Sequence, residues 1–526
     1  MRGELRDSLA FLYADSLVGK RRCRRMRVDV ARGGTVSVHV LLNDLEVGGS
    51  MRATLRKNGR AVGGAQWFRL VDVPVEVNTG PVWFVEKKGQ RNRFVTRRAP
   101  FRVYDAMEPV QLPIKVCAPT MALRFHLPVA VNAQAGKRDY VLEMKSGREL
   151  QAFSLTVNVH EPVIPPVGRD SFPYTNWFMP ELMASRHGLK EWSEAHWRMI
   201  GRYAGLMARA RQNVFWVRQA DVFRVERKGP VLDRGRLRRF VKTFTDAGLY
   251  YIEGSHVGGR TRGDWKLPTH DLVLTGKRAT SPEGNATLAL IARQLMEEIE
   301  RNGWRGRWIQ HIADEPTATN AADYRILAGM VRKYMPGIPI LDATMDPGLV
   351  GAVDIWCPQV QEYQKHRARF EAQRALGDRM WFYTCCIPGG PWLNRLLDME
   401  LLRPALFGWA AALYGLDGFL HWGLNWYRPE QDPFKQSVTA HGPDYHLPAG
   451  DTHVVYPGTG RPWSSLRLEA QREGFEDLEL LRKLQHRDAR RAGAIIRRAI
   501  TGFNAYTKDV RTFRAARRAL LEALGP

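Results

Sequence analysis

The chain has 526 residues, 44% hydrophobic and 10% aromatic, a globular composition long enough for two or three domains and unlike that of a disordered chain. No run of about 18 apolar residues occurs, which excludes a transmembrane helix. Lysine and arginine total 79 against 54 acidic residues, a net charge of +25, but the excess is spread along the chain apart from a cluster at Lys20–Arg27. Without a zinc finger, helix-turn-helix or RNA-binding signature, nucleic acid is not the expected partner, and solvated basic faces or a polyanionic substrate remain.

The first 25 residues interleave charge with a broken apolar stretch and lack a clean apolar region followed by a small-residue cleavage site. The expectation is a cytoplasmic protein as written, or a secreted or periplasmic one if the true start lies upstream. Five cysteines, Cys23, Cys117, Cys357, Cys385 and Cys386, fit no metal-binding spacing. Cys385 and Cys386 sit in a strand-like apolar run and read as buried thiols.

From residue 27 to 160 the pattern is of short alternating runs, at Thr35–Leu42, Gln66–Val75, Val82–Val85 and Ser154–His160. Turn signals at Asn58-Gly59, Gly63-Gly64, Asn78-Thr79-Gly80 and Ser146-Gly147 separate them. This predicts an antiparallel β-sandwich over residues 1–165, closed by the stiff Glu161–Pro166 connector. Beyond it strands alternate with helices. A helical stripe through Trp197, Ile200, Tyr203 and Met207 precedes a strand at Asn213–Val217, and another strand follows at Gly248–His256. The stripe Leu288, Ile291, Leu295, Ile299 stops at Asn302-Gly303, a good C-terminal cap. Strands at Arg307–Ala313, Ile338–Ala343, Val353–Val360, Met380–Cys386 and Gly418–Trp426, with one near Tyr174–Phe178, complete seven or eight βα units. Their size and rhythm predict a (β/α)8 TIM barrel over residues 166–435. Residues 436–526, a loop and then a helical extension, are expected to pack on the barrel.

The stretch WIQHIADEP, Trp308–Pro316, is an apolar run closed by Asp314 and Glu315 and stopped by a proline, which cannot continue a central ladder. The two acids therefore lie where a strand ends, the face on which parallel α/β folds bind ligands. Other strand ends offer Asn213, His256, Asp342 with Asp346, Gln359, Tyr383, and Trp422 with Asn425 and Trp426. Acids among tryptophans suit a sugar, whose C–H face lies on aromatic rings while its hydroxyls bond carboxylates and amides. Trp422 or Tyr383 taken alone could equally be core, Asp342 and Asp346 could equally cap the following loop, and His311 reads as a satisfied interior histidine. Neighbouring carboxylates cannot straddle a glycosidic bond as the pair of an ordinary retaining or inverting glycosidase does. They can act together if the substrate's own 2-acetamido group is the nucleophile. No metal constellation or phosphate-cradling loop is seen, so no cofactor is implied.

HIADEP (His311–Pro316), YTNWF (Tyr174–Phe178) and FRLVDVPVEVNTG (Phe68–Gly80) resemble glycoside hydrolase family 123. So do WLNRLLDMELLRPALFGWAAALYGLDGFLHWGLNWY (Trp392–Tyr427) and VVYPGTGRPWSSLRLEAQREGFEDLELLRKL (Val454–Leu484). The resemblance implies a β-sandwich followed by a catalytic TIM barrel, and a retaining exo-β-N-acetylhexosaminidase that prefers GalNAc. It implies that Asp314 polarises the acetamido group and that Glu315 is general acid, then base. Tyr383 would bond the acetamido oxygen and Trp422 would floor the sugar. The expected partner is a glycan with a terminal β-linked amino sugar. The alternatives are a glycosidase of the same fold acting on another sugar, and a non-catalytic carbohydrate- or polyanion-binding protein.

Overall fold

The structure, a computed structural model, describes residues 1–442 and 445–525. The N-terminal part is built of two sheets. One runs in the order Arg2–Asp7, Thr35–Asn43, Met121–Pro128, Gln66–Val75, Phe101–Val110, and then Arg461–Ser465 and Tyr456–Gly458 from the far end of the chain, all antiparallel. The other runs Arg25–Arg32, Glu149–Val163, Gly136–Ser146, Ser50–Lys57 and Arg60–Ala61, with Ile114–Lys115 beside Ser50–Lys57. It is antiparallel except where Arg25–Arg32 lies parallel to Glu149–Val163. In Glu149–Val163 the residues Phe153, Leu155, Val157 and Val159 are buried, while their neighbours are more accessible. Period-two alternation sends one face inward. That face meets Val36, Val38, Val40, Leu123 and Phe125 of the first sheet in one apolar core.

The run Val82–Val85 is not a strand. The Gly80 N–H bonds the Phe84 carbonyl and closes a loop, while Phe84 takes a left-handed φ of 50°. Its backbone docks on the segment Cys386–Gly389 instead of entering a ladder, and Val82 and Trp83 stay exposed. The connector expected at Glu161–Pro166 is in part strand, which runs on to Val163.

After residue 173 come eight parallel strands in two sheets. They are β1 (Tyr174–Asn176), β2 (Val214–Val217), β3 (Tyr251–Gly254), β4 (Trp308–Gln310), β5 (Leu341–Ala343), β6 (Ile355–Cys357), β7 (Arg379–Tyr383) and β8 (Gly418–His421). β2, β3 and β4 form one sheet; β1, β8, β7, β6 and β5 form the other. A single parallel bridge, Gln310 to Ile340, joins the two. Near-continuous apolar character marks strands buried on both faces, and β2, VFWV, is buried throughout.

Helices α1 (Glu194–Arg209), α2 (Arg234–Asp246), α3 (Pro282–Arg301), α4 (Ala321–Tyr334) and α5 (Leu402–Tyr414) lie in the connections. α3 begins with Ser281 accepting from the Gly284 N–H, has Pro282 in its first turn, and ends at Asn302 before Gly303 at φ 65°. The β5–β6 connection contains no helix. α6 (Leu466–Arg487), α7 (Ala489–Ala499) and α8 (Val510–Ala523) complete the chain. α5 crosses α6 at Gly408 and Gly474, where an added Cβ on Gly408 would stand 1.9 Å from the Gly474 carbonyl oxygen. No helix among the described residues is long and apolar enough to cross a membrane.

Candidate active site

The carboxyl ends of the parallel strands converge. β4 ends at Gln310, and the chain then turns through His311, Ile312 and Ala313 to the two acids. Glu315 is held at φ 46°, a left-handed conformation that costs a residue with a Cβ roughly 1–2 kcal/mol. Such strain persists only where the surroundings fix it. Here Arg260, on a strand paired with His270–Leu272 after β3, donates to the Glu315 carbonyl. The Glu315 carboxylate accepts from Tyr383, the last residue of β7, and from Gln359 after β6 at 3.4 Å. Burial pushes Glu315 upward from the usual carboxylate range, against the pull of Tyr383 and Arg260. Asp314 opens to solvent, but protein surrounds it on its other sides. That desolvation, and then the neighbouring Glu315, push it up to about 7, with Arg260 opposing. Two carboxylates one peptide bond apart titrate as a pair.

Beneath the acids lies a fully buried charge relay. His311 Nε2 is 2.7 Å from Glu253 Oε1 and its Nδ1 is 2.9 Å from Asp342 Oδ1. A ring whose two nitrogens both face carboxylates has to donate from both, so it is an imidazolium. Burial alone would lower its pKa, but the bonds to Asp342 and Glu253 prevail and raise it to about 9. Asp342 Oδ2 accepts from the Ile312 N–H and Tyr324. Glu253 also accepts from Trp177 Nε1 at 2.8 Å and Thr175 at 2.6 Å. Trp177, just after β1, stacks on Trp216 of β2 at 4.3 Å, and both meet His311 and His256 edge-on. Burial, followed by the charges of His311 and Arg260, depresses His256 well below its ordinary value, so it is neutral. Its Nε2 has no partner.

The strand ends thus bring Asp314, Glu315, Tyr383, Gln359 and His256 together. Trp422 and Trp426, after β8, are half-buried with ring centres 5.7 Å apart. Asp342 does not face the opening: it is wholly buried and its oxygens are taken by His311, Ile312 and Tyr324. Asn213 precedes β2 and lies at the opposite end of the strands, where it bonds the Tyr174 N–H and the Gly168 and Ser171 carbonyls. Asp346 caps its own loop through the Gly348 N–H, and Asn425 bonds the backbone of Met179. Arg260, Glu253 and Trp216 carry no local motif, and Trp177, though within YTNWF, has nothing in the sequence that marks it as a site residue. Among the described residues His256, His311 and Asp342 bring potential metal-ligand atoms within 4.8 Å. Both His311 nitrogens are committed to carboxylates, and a protonated ring offers a cation nothing.

Residues 265–484 match the family model described as "Glycoside hydrolase 123, catalytic domain". The chain carries a glycoside hydrolase 123 catalytic domain. This glycoside hydrolase also resembles a family 123 glycoside hydrolase from Clostridium perfringens, with a TM-score of 0.73 and 14% identity, over 99% of this chain and 96% of that one. A GH10 xylanase with an Ig-like domain from termite gut gives a TM-score of 0.35 at 9% identity, over 68% of this chain and 90% of that one, too slight to bear on the fold. No curated protein matches the hydrolase. The matched domain contains both acids, Tyr383 and the two tryptophans, whereas Arg260, His256 and Glu253 lie before it.

Proposed function

We propose that the hydrolase is a retaining exo-β-N-acetylhexosaminidase, preferring GalNAc, that uses the substrate's acetamido oxygen as nucleophile. The observation that carries this reading is the adjacency of Asp314 and Glu315 at one strand end, with Asp342 sequestered by His311 and Tyr324. A protein nucleophile needs a second carboxylate across the bond, about 5–5.5 Å from the acid, and residues joined by one peptide cannot straddle a ring. In the proposed reaction the acetamido oxygen attacks the anomeric carbon and the glycosidic bond breaks. Glu315 gives its proton to the leaving oxygen. Asp314 draws on the amide N–H and balances the oxazolinium charge. Glu315 then takes a proton from water, which opens the ring with net retention. Arg260 positions the Glu315 backbone, and the imidazolium of His311 sits beneath as a fixed counter-charge for Asp314. Tyr383, which now donates to Glu315, is the donor for the acetamido oxygen once substrate is bound; Trp422 and Trp426 supply the apolar face.

The eight strands support a further reading, that they are the staves of one (β/α)8 barrel behind a β-sandwich. β2 is parallel to β3 and β3 to β4, β5 to β8 run parallel in succession, β8 pairs with β1, and Gln310 bridges to Ile340. The domains would then be residues 1–165, 166–435 and 436–526. The Clostridium perfringens protein hydrolyses glycolipid glycans, consistent with a terminal amino sugar as substrate here.

The test is nitrophenol release from aryl β-GalNAc, β-GlcNAc, β-galactose and β-glucose. Turnover of the acetamido sugars alone, fastest on GalNAc, is the expected result. Turnover of β-galactoside at a similar rate would overturn substrate assistance, because that sugar has no internal nucleophile.

A further inference from the structure

The long loop between Val75 and Phe101 belongs to the N-terminal sheet but is clamped to the catalytic part. Asp398 accepts from the Asn78 side chain at 3.1 Å, and from the Thr79 N–H and hydroxyl at 2.7 Å each. Arg403 donates to the Phe94 carbonyl at 3.0 Å. The Phe84 N–H bonds the Cys386 carbonyl at 3.2 Å, and the Gly389 N–H bonds the Val82 carbonyl at 2.6 Å. The loop therefore rests on the segment after β7. That segment adjoins the catalytic pair: Cys385 Sγ is 3.7 Å from Gln359 Nε2, itself 3.4 Å from Glu315 Oε1.

The tip of this loop is costly for a surface that binds nothing. Trp83 is 57% exposed and Val82 is 64% exposed. Phe84, a bulky side chain, is held at positive φ and packs on exposed Tyr445 with ring centres 5.2 Å apart. A left-handed aromatic is a genuine outlier. The charge is equally one-sided. Arg97 and Arg98 pair with Asp15 and Glu86. Lys87, Lys88, Arg91 and Arg93 are exposed, and among the described residues none of them has a carboxylate partner. Lys87 lies over the Tyr445 ring instead, 5.2 Å from its centre.

We infer that Trp83 and Tyr445, with Lys87, Lys88, Arg91 and Arg93, form a binding platform for the leaving-group side of an anionic glycan, one bearing sulfate or carboxylate groups. The platform reaches Glu315 only by way of the Cys385–Cys386 segment and Gln359, not by direct contact. It therefore meets units beyond the cleaved bond, not the terminal sugar. An indole face takes a sugar's C–H side, and cations beside it take the acid groups; aromatic faces and cations reinforce each other at such sites. Sugar units in series, not nucleic acid, are favoured because the platform adjoins a glycosidase cleft. The inference rests on the glycosidase reading, but its test does not depend on turnover.

Binding of a chondroitin sulfate hexasaccharide, of neutral chitohexaose and of a single-stranded oligonucleotide of matched charge is measured calorimetrically on Glu315→Gln protein. Trp83→Ala is expected to weaken both saccharides about tenfold. Lys88→Glu with Arg91→Glu is expected to weaken only the sulfated one, by tenfold or more, and less so as salt rises. No binding of the sulfated hexasaccharide, or unchanged binding in either variant, overturns the platform. Oligonucleotide binding as tight as the hexasaccharide's overturns it too, as a general polyanion surface. In the otherwise wild-type enzyme, Trp83→Ala is expected to leave aryl glycoside turnover within twofold. Failure of the glycosidase reading would show separately, as wild-type protein that releases no nitrophenol yet keeps these binding differences.

Discussion

Burial disfavours the charged form of both acids, and Asp314 carries the further charge of its neighbour Glu315, so both are shifted upward. A proton is therefore held on the pair near neutral pH, where an ordinary carboxyl would have lost it. Glu315→Gln should lower turnover of an aryl acetamido glycoside by about 10²–10⁴-fold, the usual worth of a positioned acid. Asp314→Asn should cost a similar factor by removing the charge opposite the oxazolinium. Wild-type rates in either variant would sink the assignment. The pH profile carries a sign as well. The acid must be protonated to act, so kcat/KM is expected to fall tenfold per pH unit above a midpoint that burial of Glu315 has carried above the ordinary carboxylate range. The Tyr383 hydrogen bond lowers the pKa of Glu315, so Tyr383→Phe should move that alkaline limb upward while reducing the rate. A downward or unmoved limb would show that Tyr383 does not act on the pair. The acids themselves were legible in the sequence because an apolar run, two carboxylates and a proline are a local pattern. Arg260 was not, because it reaches the Glu315 carbonyl from 55 residues away. Nor were Glu253, Trp177 and Trp216, whose meeting depends on three separate strands lying side by side.

At the level of elements, periodicity served long helices best. α3 lies where its apolar stripe and the Asn302-Gly303 stop placed it. Short strands were found but overrun: β4 ends at Gln310, not Ala313, because beyond it the chain leaves the ladder to present the acids. Val82–Val85 misled because an apolar run whose backbone docks on a distant segment, with Val82 and Trp83 left exposed, looks the same in sequence as a strand. The contact between α5 and α6 is the tightest test of element packing. Gly408 and Gly474 let two helix backbones touch, and an added methyl on either meets a carbonyl oxygen that no rotamer can move. Gly408→Ala and Gly474→Ala are each expected to destabilise the fold by about 1–3 kcal/mol, the usual cost of overpacking. Denaturant melts would register it. Unchanged midpoints would mean the helices can slide apart, and the crossing is not fixed.

Across the whole molecule, the chain returns to where it began. The strands Tyr456–Gly458 and Arg461–Ser465 extend the N-terminal sheet beside Phe101–Val110. α6 starts immediately after them. Arg467, wholly buried at its first turn, donates to Asp105 Oδ2 at 2.9 and 3.1 Å and to the carbonyls of Arg395, Gly450 and His453. Tyr456 donates to the same carboxylate oxygen at 2.7 Å. One buried cluster thus ties the N-terminal sheet, the segment before α5 and the C-terminal helices together. Breaking such a pair from one side leaves an uncompensated charge in the interior, at about 3–5 kcal/mol. Asp105→Ala should therefore lower the stability of the catalytic part as much as that of the sheet, and loss of aryl glycosidase activity on heating should track loss of near-UV ellipticity in a single transition. A residue 166–526 fragment, deprived of Asp105 and of the sheet its own strands complete, should not reach a native near-UV spectrum. A soluble, active fragment with wild-type melting behaviour would show instead that the two parts fold independently, and that the buried Arg467 finds its partners without the N-terminal sheet.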